Sequence, residues 1–225
     1  SFDFKVRNTL IEINPSPTHN IDWTPYDKAR GLPESYHIDK TLLANNSGYR
    51  CIHVWDWDNW QEIINMIKPR KRIFARNCEV KETGLLELFD LVDNNSYFQG
   101  SFDYGLTLSY KGKIVSCMTF LQWTKDCWEV NNFVSPKYSI VGGSEKLFKH
   151  FVENVNPKIV IGYSDTDKFQ NGLFDNLGFE RTDITTNKYF YNTKEKQVYL
   201  SKPAIINGNV VEIVGTKTIK YQINL

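Results

Sequence analysis

Two adjacent glycines, Gly142 and Gly143, stand where a predicted strand gives way to a predicted helix. Glycine adopts the positive φ angles of a tight turn without steric cost, and it leaves neighbouring backbone N–H groups accessible. The helix that follows begins with its partial positive charge at this point. Exposed N–H groups and a helix N-terminus together favour a bound anion such as a phosphate. The sequence therefore predicts an anion-binding turn at Gly142-Gly143-Ser144.

The residues after this turn are patterned as a helix, a strand and a short helix. Asn156-Pro157 ends the first helix, the β-branched run over 158–163 is typical of a buried strand, and the short helix ends at Gly178. Apolar side chains at helical spacing predict one face of the first helix packed on a sheet. These side chains are Leu147, Phe148, Phe151, Val152 and Val155.

This order of elements resembles the cofactor-binding half of the GCN5-related N-acyltransferases. In that family a glycine loop and a helix N-terminus hold the coenzyme A pyrophosphate, and a later YxxxGF helix lies beside the pantetheine arm. Here Phe174 stands where the family has tyrosine, within the segment over 173–179 that ends in Gly178-Phe179. The resemblance implies that Gly142, Gly143 and Ser144 contact acetyl-CoA or another acyl-CoA.

The wider second half of the chain is similar to the C-terminal domain of phage homing-type endonucleases. It is more distantly similar to the phage Mom proteins, which are acyltransferase-fold enzymes that modify adenine in DNA. By that analogy Asp165, which follows the strand over 158–163, lies near a reacting centre and joins the cofactor-binding set. The alternative is that Asp165 caps the turn after the strand.

The first 75 residues carry a second pattern, which reads β-β-α-β-α. Two short runs around a turn at Arg7-Asn8 predict a hairpin, with Asp3 on the first strand and Glu12 on the second. A helix is predicted over 36–44, a strand over 49–55 and a helix over 58–67.

As a set, these residues resemble the very-short-patch-repair (Vsr-type) endonucleases, and more closely the phage homing-type endonucleases built on the same PD-(D/E)XK core. The resemblance rests on Asp3, Glu12-Ile13-Asn14, His19, the helix start Tyr36-His37-Ile38-Asp39-Lys40-Thr41 and the stretch GYRCIHVWDWDNW over 48–60. It implies that Asp3 and Glu12 bind Mg²⁺, and that His19 and His37 complete the catalytic set. Mg²⁺ takes oxygen ligands and lowers the pKa of a bound water, and imidazole transfers protons near neutral pH.

The densest basic run lies between these two regions, with six cations in the fourteen residues over 68–81. Such a run neutralises phosphates and makes binding salt dependent, although a solvated linker is the alternative. The candidate contacts to double-stranded DNA are Arg70, Lys71, Arg72 and Arg76. A domain boundary is predicted here, which gives an endonuclease core over 1–75, an acyltransferase-like domain over 76–195 and a β-hairpin appendage over 196–225.

Composition sets few limits on function. The chain has 225 residues with 27 basic and 26 acidic side chains, a net charge of +1, which neither indicates nor excludes nucleic acid. The apolar runs are too short to span a membrane. The four cysteines form no CxxC pair, which predicts free thiols in a reducing cytosol; the resemblance places the protein in a phage-infected bacterial cell. A segment preceding Ser1 is also expected.

Three functions follow from these patterns. The first is a metal-dependent DNA endonuclease of phage or mobile-element type, with the acyltransferase-like domain as an accessory; Asp3, Glu12 and His19 favour it. The second is an N-acyltransferase that modifies a DNA base or a small amine, which Asp165 and the glycine turn favour. The third is a non-catalytic DNA-binding protein with decayed sites. It is favoured by Asn14, Asn132 and Ser139, where the families have Lys, Arg, and Arg or Gln.

Overall fold

The computed structural model describes residues 1–21, 32–96, 100–170, 172–203 and 209–225. The fold is mixed α/β, as predicted. The strands are β1 Phe4–Val6, β2 Thr9–Asn14, β3 Arg50–Trp55, β4 Lys71–Phe74, β5 Glu79–Glu82, β6 Tyr104–Tyr110, β7 Lys113–Gln122, β8 Cys127–Val134, β9 Tyr138–Val141, β10 Ile159–Asp165, β11 Glu180–Asn192, β12 Gln197–Tyr199 and β13 Val210–Asn224. The α-helices are α1 Tyr36–Asn46, α2 Trp60–Ile67, α3 Leu85–Asp93, α4 Gly143–Val155 and α5 Gly172–Asn176. Within the described ranges, no helix is long and apolar enough to cross a membrane.

Residue contacts divide the chain into two compact units. Unit 1 consists of Ser1–Ile67, Ser164–Gln170 and Ile184–Ile219, and unit 2 of Lys68–Tyr163, Asn171–Asp183 and Lys220–Leu225. Strands β10, β11 and β13 therefore contribute residues to both units. The segments 164–170 and 184–219 group with the N-terminal residues, whereas the sequence predicted one continuous domain over 76–195 and a separate appendage over 196–225.

Unit 1 is built on a small sheet in the order β1-β2-β3. The predicted hairpin is confirmed: β1 runs antiparallel to β2, and Arg7 makes the turn with a φ of 58°. Strand β3 lies parallel to β2, with Glu12 opposite His53. The predicted order β-β-α-β-α over the first 67 residues is also confirmed, with α1 as the crossover from β2 to β3.

The two faces of this sheet differ in character. One face packs on α2 through an apolar cluster of Ile11, Ile52, Val54 and Ile63. The other face holds the smaller apolar cluster of Leu10, Ala44 and Cys51, to which α1 contributes Ala44. Because side chains alternate along a strand, Glu12, Asn14 and His53 lie on this second face with Leu10 and Cys51. Three buried polar side chains therefore lie on the sheet face that α1 covers.

A cluster of aromatic side chains forms the other core of unit 1. The indoles of Trp55 and Trp57 stack with centroids 5.3 Å apart, and both contact Tyr189 on β11. Trp55 is 3% exposed. The burial of Trp55 is that of a core side chain and not of a surface on which bases could stack.

Unit 2 is organised around the part of an eight-stranded sheet that has the strand order β10-β8-β7-β6-β5. Strands β5 to β8 are antiparallel, and the hairpin between β6 and β7 turns at Lys111 and Gly112, which both have positive φ angles. Strand β10 is parallel to β8, and α4 is the crossover between them. On one face, Phe151 of α4 stacks on Phe120 with centroids 3.7 Å apart. The other face holds the cluster of Leu88, Val92, Phe102, Cys117 and Val134, to which α3 contributes Leu88 and Val92.

Helix α5 packs so closely on β10 that position 162 has no room for a side chain. A Cβ at Gly162 would lie 2.2 Å from the ring of Phe174, which is itself buried and stacks on Tyr221. We expect Gly162→Ala to lower the free energy of unfolding by about 1–3 kcal/mol, because overpacking displaces the ring and the backbone. Urea titration measures this loss. Gly172→Ala is the matched control, since a Cβ there meets nothing within 4 Å; an equal loss in both variants would contradict the prediction.

Candidate functional site

Two histidines predicted from the sequence lie together in unit 1. His37 Nδ1 is 2.7 Å from the carbonyl oxygen of Val214, so it carries the proton and donates to that oxygen. Neutral His37 then accepts at Nε2 from His19 Nδ1–H, at 3.1 Å. His19 is left with a lone pair on Nε2, which has no hydrogen-bond partner in the described part of the chain. The hydrogen-bonded pair of His19 and His37 can therefore accept one proton, at His19 Nε2.

A third histidine, His53, lies deeper against α1. Thr41 Oγ1 donates to the carbonyl oxygen of His37, so it accepts from His53 Nε2–H at 2.8 Å. His53 Nδ1 in turn accepts from Asn14 Nδ2 at 3.1 Å. Burial lowers the pKa of His53 to about 3 and that of His19 to about 4, and it also lowers the pKa of His37. All three imidazoles are therefore neutral at pH 7.

The two carboxylates predicted to bind metal have protein partners instead. Glu12 Oε1 pairs with Lys40 Nζ at 2.7 Å, and Glu12 is 4% exposed. Asp3 Oδ2 accepts from the backbone N–H of Ile13 at 2.8 Å. Two buried oxygens, Glu12 Oε2 and Asn14 Oδ1, have no hydrogen-bond partner among the described residues. Neither carboxylate belongs to a group of three metal-binding side chains in the described ranges.

A buried charge cluster in unit 1 was missed by the sequence analysis. Lys168 Nζ pairs with Asp58 at 2.6 Å, and both side chains are almost fully buried. Beside them, Asp167 Oδ2 accepts from Tyr189 Oη at 2.7 Å and from Trp55 Nε1 at 3.1 Å. Burial raises the pKa of Asp167, but the positive charge of Lys168 and the hydrogen bonds from Tyr189 and Thr216 act together with other nearby groups to lower it by more, so the net pKa is lowered. The signal for this cluster was the run of charged residues directly after the apolar strand over 158–163.

Asp165 lies in the same region of unit 1. Its Oδ1 accepts from the backbone N–H of Asp167 at 2.9 Å and from Asn187 Nδ2 at 3.0 Å. Burial and the nearby charge of Asp167 raise the pKa of Asp165 to about 7. These contacts are those of a residue that caps the turn after β10. Its predicted place near a reacting centre stays a prediction.

In unit 2, the start of α4 has the geometry that the glycine turn predicted. Gly142 has a φ of +74°, and the helix has no side-chain cap at this end. A Cβ at Gly143 would lie 2.9 Å from Ile140, so this position needs glycine as well. The first N–H groups of a helix have no partner within the helix. Ser144 Oγ donates to Glu145, which adds a negative charge to the first turn.

The residues leading into this turn form a strand rather than an open loop. Strand β9 pairs in parallel with β4, with Tyr138 opposite Lys71 and Val141 opposite Phe74. Part of the backbone that precedes Gly142 is therefore used in strand pairing. The sequence analysis predicted the end of a strand before Gly142, but it did not predict the pairing of that strand with β4.

The parallel strands β8 and β10 are paired over only part of their length. Their ladder runs from Cys127 and Ile159 to Val130 and Gly162. Asn131 is an extra residue relative to β7, because Phe120 is opposite Val130 and the preceding Thr119 is opposite Asn132. A bulge of this kind re-aims the strand and is common beside ligand sites. The β10 side of β8 beyond Val130 has no strand partner within the described residues.

The four basic residues predicted to contact DNA have different surroundings in the structure. Lys71 and Arg72 line a pocket of unit 2 with a volume of about 510 Å³. Arg70 instead donates to the carbonyl oxygen of Ser135, and the guanidinium of Arg76 lies over the ring of Phe74 at 4.9 Å. Three further cations line the same pocket and were not predicted, namely Lys111, Lys113 and Lys137.

Neither a protein-family model nor a curated protein matches this chain. Similar solved structures include a GNAT family acetyltransferase from Elizabethkingia anophelis with acetyl-CoA bound. It is 18% identical with a TM-score of 0.47, over 66% of this chain and 99% of that one. A Bacillus subtilis acetyltransferase in complex with CoA is 12% identical with a TM-score of 0.44, over 66% and 99% of the two chains. The ribosomal-protein-S18-alanine N-acetyltransferase from Escherichia coli is 14% identical with a TM-score of 0.44, over 65% and 93%. Because these scores lie below 0.5, they do not by themselves assign an activity to this chain.

The interpretation of the chain as a metal-dependent DNA endonuclease is wrong. The described residues contain no group of three or more His, Cys, Asp or Glu side chains that could hold a metal ion. Glu12 is neutralised by Lys40. The solved structures reported above as similar to this chain are described as acetyltransferases. The associated assignments to hydrolases, to a Vsr-type core, to phage homing endonucleases and to Mg²⁺ therefore have no support.

Proposed function

We propose that unit 2 binds an acyl-CoA and transfers the acyl group to an amine, as an N-acyltransferase. The observation that carries the proposal is the uncapped start of α4 behind Gly142. Helix α4 connects two parallel strands, β8 and β10, so it begins at the edge where their carboxyl ends lie. Ligands of open α/β sheets bind at this edge.

The start of α4 suits the pyrophosphate of the coenzyme through its backbone. The N–H groups of the first turn and the helix dipole favour two adjacent phosphates. The side chains add no positive charge, because Ser139 leads the segment and Glu145 lies in the first turn. We therefore expect the affinity to come from the backbone alone and to be weak for this class of ligand.

The unpaired part of β8 suits the extended arm of the coenzyme. The pantetheine arm contains amide groups, which can pair with a free strand edge as an additional strand does. Residues Asn131 to Val134 offer such an edge on the β10 side. Helix α5 presents Phe174 rather than tyrosine, so this position cannot donate a proton to the departing thiolate.

The bound acyl-CoA would supply an activated thioester, and the protein must then remove a proton from the attacking amine. Glu129, on β8 next to the end of the ladder, is the proposed proton acceptor. Burial raises the pKa of Glu129, and its Oε2 accepts from Trp123 Nε1 at 2.8 Å. A raised pKa brings a carboxylate closer to the range in which a general base works at neutral pH. The acceptor class implied is a primary amine, either on a small molecule or on a nucleobase.

Calorimetry with acetyl-CoA and release of free thiol in the presence of an amine test this function. We expect Glu145→Gln to tighten acetyl-CoA binding about two- to fivefold, because a negative charge near a helix N-terminus changes the energy of a bound anion by about 0.3–1 kcal/mol. Glu153→Gln is the matched control, since Glu153 lies in the last turn of the same helix. No binding of acetyl-CoA at millimolar concentration, or an equal change in both variants, would exclude the site.

A further inference from the structure

The pocket of about 510 Å³ in unit 2 is lined by five cations and no carboxylate. The cations come from three separate stretches of chain: strand β4, the β6–β7 hairpin and the segment before β9. They are Lys71, Arg72, Lys111, Lys113 and Lys137. Each of these residues is exposed. The fold thus gathers positive charge that the sequence spreads over more than sixty residues.

These five cations are not neutralised by the protein. Lysines elsewhere in the chain, such as Lys81, Lys149 and Lys158, lie within 4 Å of a carboxylate. No ion pair joins any of the five pocket cations to a carboxylate of the described residues. The net charge of the whole chain is only +1. The pocket is therefore a local site of positive potential on a nearly neutral protein, and such a site attracts anions.

Aromatic side chains are interleaved with the cations. Tyr110, Tyr138 and Phe74 line the pocket, and Phe74 is 46% exposed. Tyr110 ends β6 directly before Lys111, whose Nζ lies 5.5 Å from the centroid of the tyrosine ring. Aromatic rings beside cations fit nucleobases beside phosphates, since bases stack on the rings while phosphates pair with the charges. A small phosphate alone would leave the rings without a role.

We propose that this pocket binds single-stranded nucleic acid, with one base inserted between the aromatic side chains and the flanking phosphates on the cations. A pocket accepts an unpaired base, whereas readout of a duplex requires an element that enters a groove. The hairpin supports the arrangement, because Lys111 and Gly112 both have positive φ angles and so form a tight turn that holds Lys111 and Lys113 at the rim. The proposal does not depend on acyltransferase activity.

Fluorescence anisotropy of the full chain with a short labelled oligothymidylate tests the proposal. The variant Lys71→Ala/Arg72→Ala/Lys113→Ala is expected to bind at least tenfold more weakly at low salt. The slope of log K against log salt should fall by about 2, because each phosphate contact with a single strand contributes about 0.7. The control Lys81→Ala/Lys149→Ala/Lys158→Ala removes the same charge from exposed sites of unit 2 and should change binding less than threefold. Equal losses in the two variants would overturn the site.

Three further measurements identify the ligand. Tyr110→Leu/Tyr138→Leu, which keeps the charge, should weaken binding at least fivefold; unchanged binding would show that only charge is recognised and would overturn the proposal. Unlabelled acetyl-CoA should not displace the oligonucleotide, since displacement would assign the pocket to the nucleotide end of the coenzyme instead. A duplex of the same length should bind more weakly than the single strand, and tighter duplex binding would also overturn the proposal.

Discussion

Replacement of Lys168 by methionine is expected to lower the free energy of unfolding by about 3–5 kcal/mol, the usual cost of removing one partner from a buried ion pair. Lys168 Nζ lies 2.6 Å from Asp58, and the two side chains are 1% and 0% exposed. The same ammonium group stabilises the charge of Asp167. Methionine fills a similar volume, so the loss comes from two buried carboxylates without their cation rather than from a cavity. Urea titration measures the change.

The matched control is Lys158→Met, because Lys158 also pairs with an aspartate but lies at the surface. Its partner Asp126 is 3.0 Å away, and the two side chains are 71% and 48% exposed. Exposed pairs contribute about 0–1 kcal/mol. In the double variant Lys168→Met/Asp58→Asn part of the stability should return, since one of the stranded charges is removed. Losses below about 1 kcal/mol in both single variants would show that the buried pair is not a stabilising contact.

Local patterns in the sequence predicted the individual elements well. The hairpin turn at Arg7-Asn8 was predicted from the two short runs around it, and Arg7 adopts a positive φ angle of 58° there. The glycine turn at Gly142 was predicted in the same way. Such features depend on a few adjacent residues, so a single sequence contains the information.

Pairings between distant segments could not be predicted from local patterns. Lys168 reaches Asp58, 110 residues earlier in the chain, and the backbone N–H of His53 donates to the carbonyl oxygen of Asp167. These contacts place the segment 164–170 in unit 1, although the sequence assigned it to the second domain. The pairing of β4 with β9 joins residues about sixty-seven positions apart, from Lys71 to Tyr138. None of these partners is marked by spacing or periodicity.

The candidate functional residues show the same difference between local patterns, which the sequence contains, and distant partners, which it does not. The resemblance to a nuclease family drew attention to His19 and His37, and His19 Nδ1 lies 3.1 Å from His37 Nε2. It gave them the wrong chemistry, because Glu12 is paired with Lys40 and the described residues contain no metal group. Residue types indicate which side chains are chemically capable, whereas the partner of each side chain decides what it does. The partner of Glu12 is Lys40 on α1, and no motif or spacing in the sequence indicates that these two residues pair.

Acidification is expected to destabilise unit 1, because its buried histidines are neutral when folded. The pKa of His53 is lowered to about 3 by burial, and that of His37 is also lowered. Below pH 6.5 the unfolded chain binds protons that the folded chain does not, so this contribution to stability is complete above pH 6.5 and is lost as the pH falls toward the folded pKa. One such histidine accounts for about 2–3 kcal/mol between pH 6.5 and 4.5. Protonation of His53 would also set Nδ1–H against the amide of Asn14, which already donates to that nitrogen.

Asp165 opposes this trend, since its pKa is raised to about 7 and its folded form prefers the proton. Its contribution is present at low pH and is lost as the pH rises through 7. Urea titrations at pH 7 and 4.5 should therefore show a net loss of stability on acidification for the wild type, because more than one buried histidine is opposed by the single group Asp165. The loss should be larger in Asp165→Asn, which removes the opposing group, and smaller in His53→Gln, which removes one of the histidines. Identical pH dependence in all three proteins would mean that neither buried group changes its protonation on folding, and the account of the polar face beneath α1 would then fail.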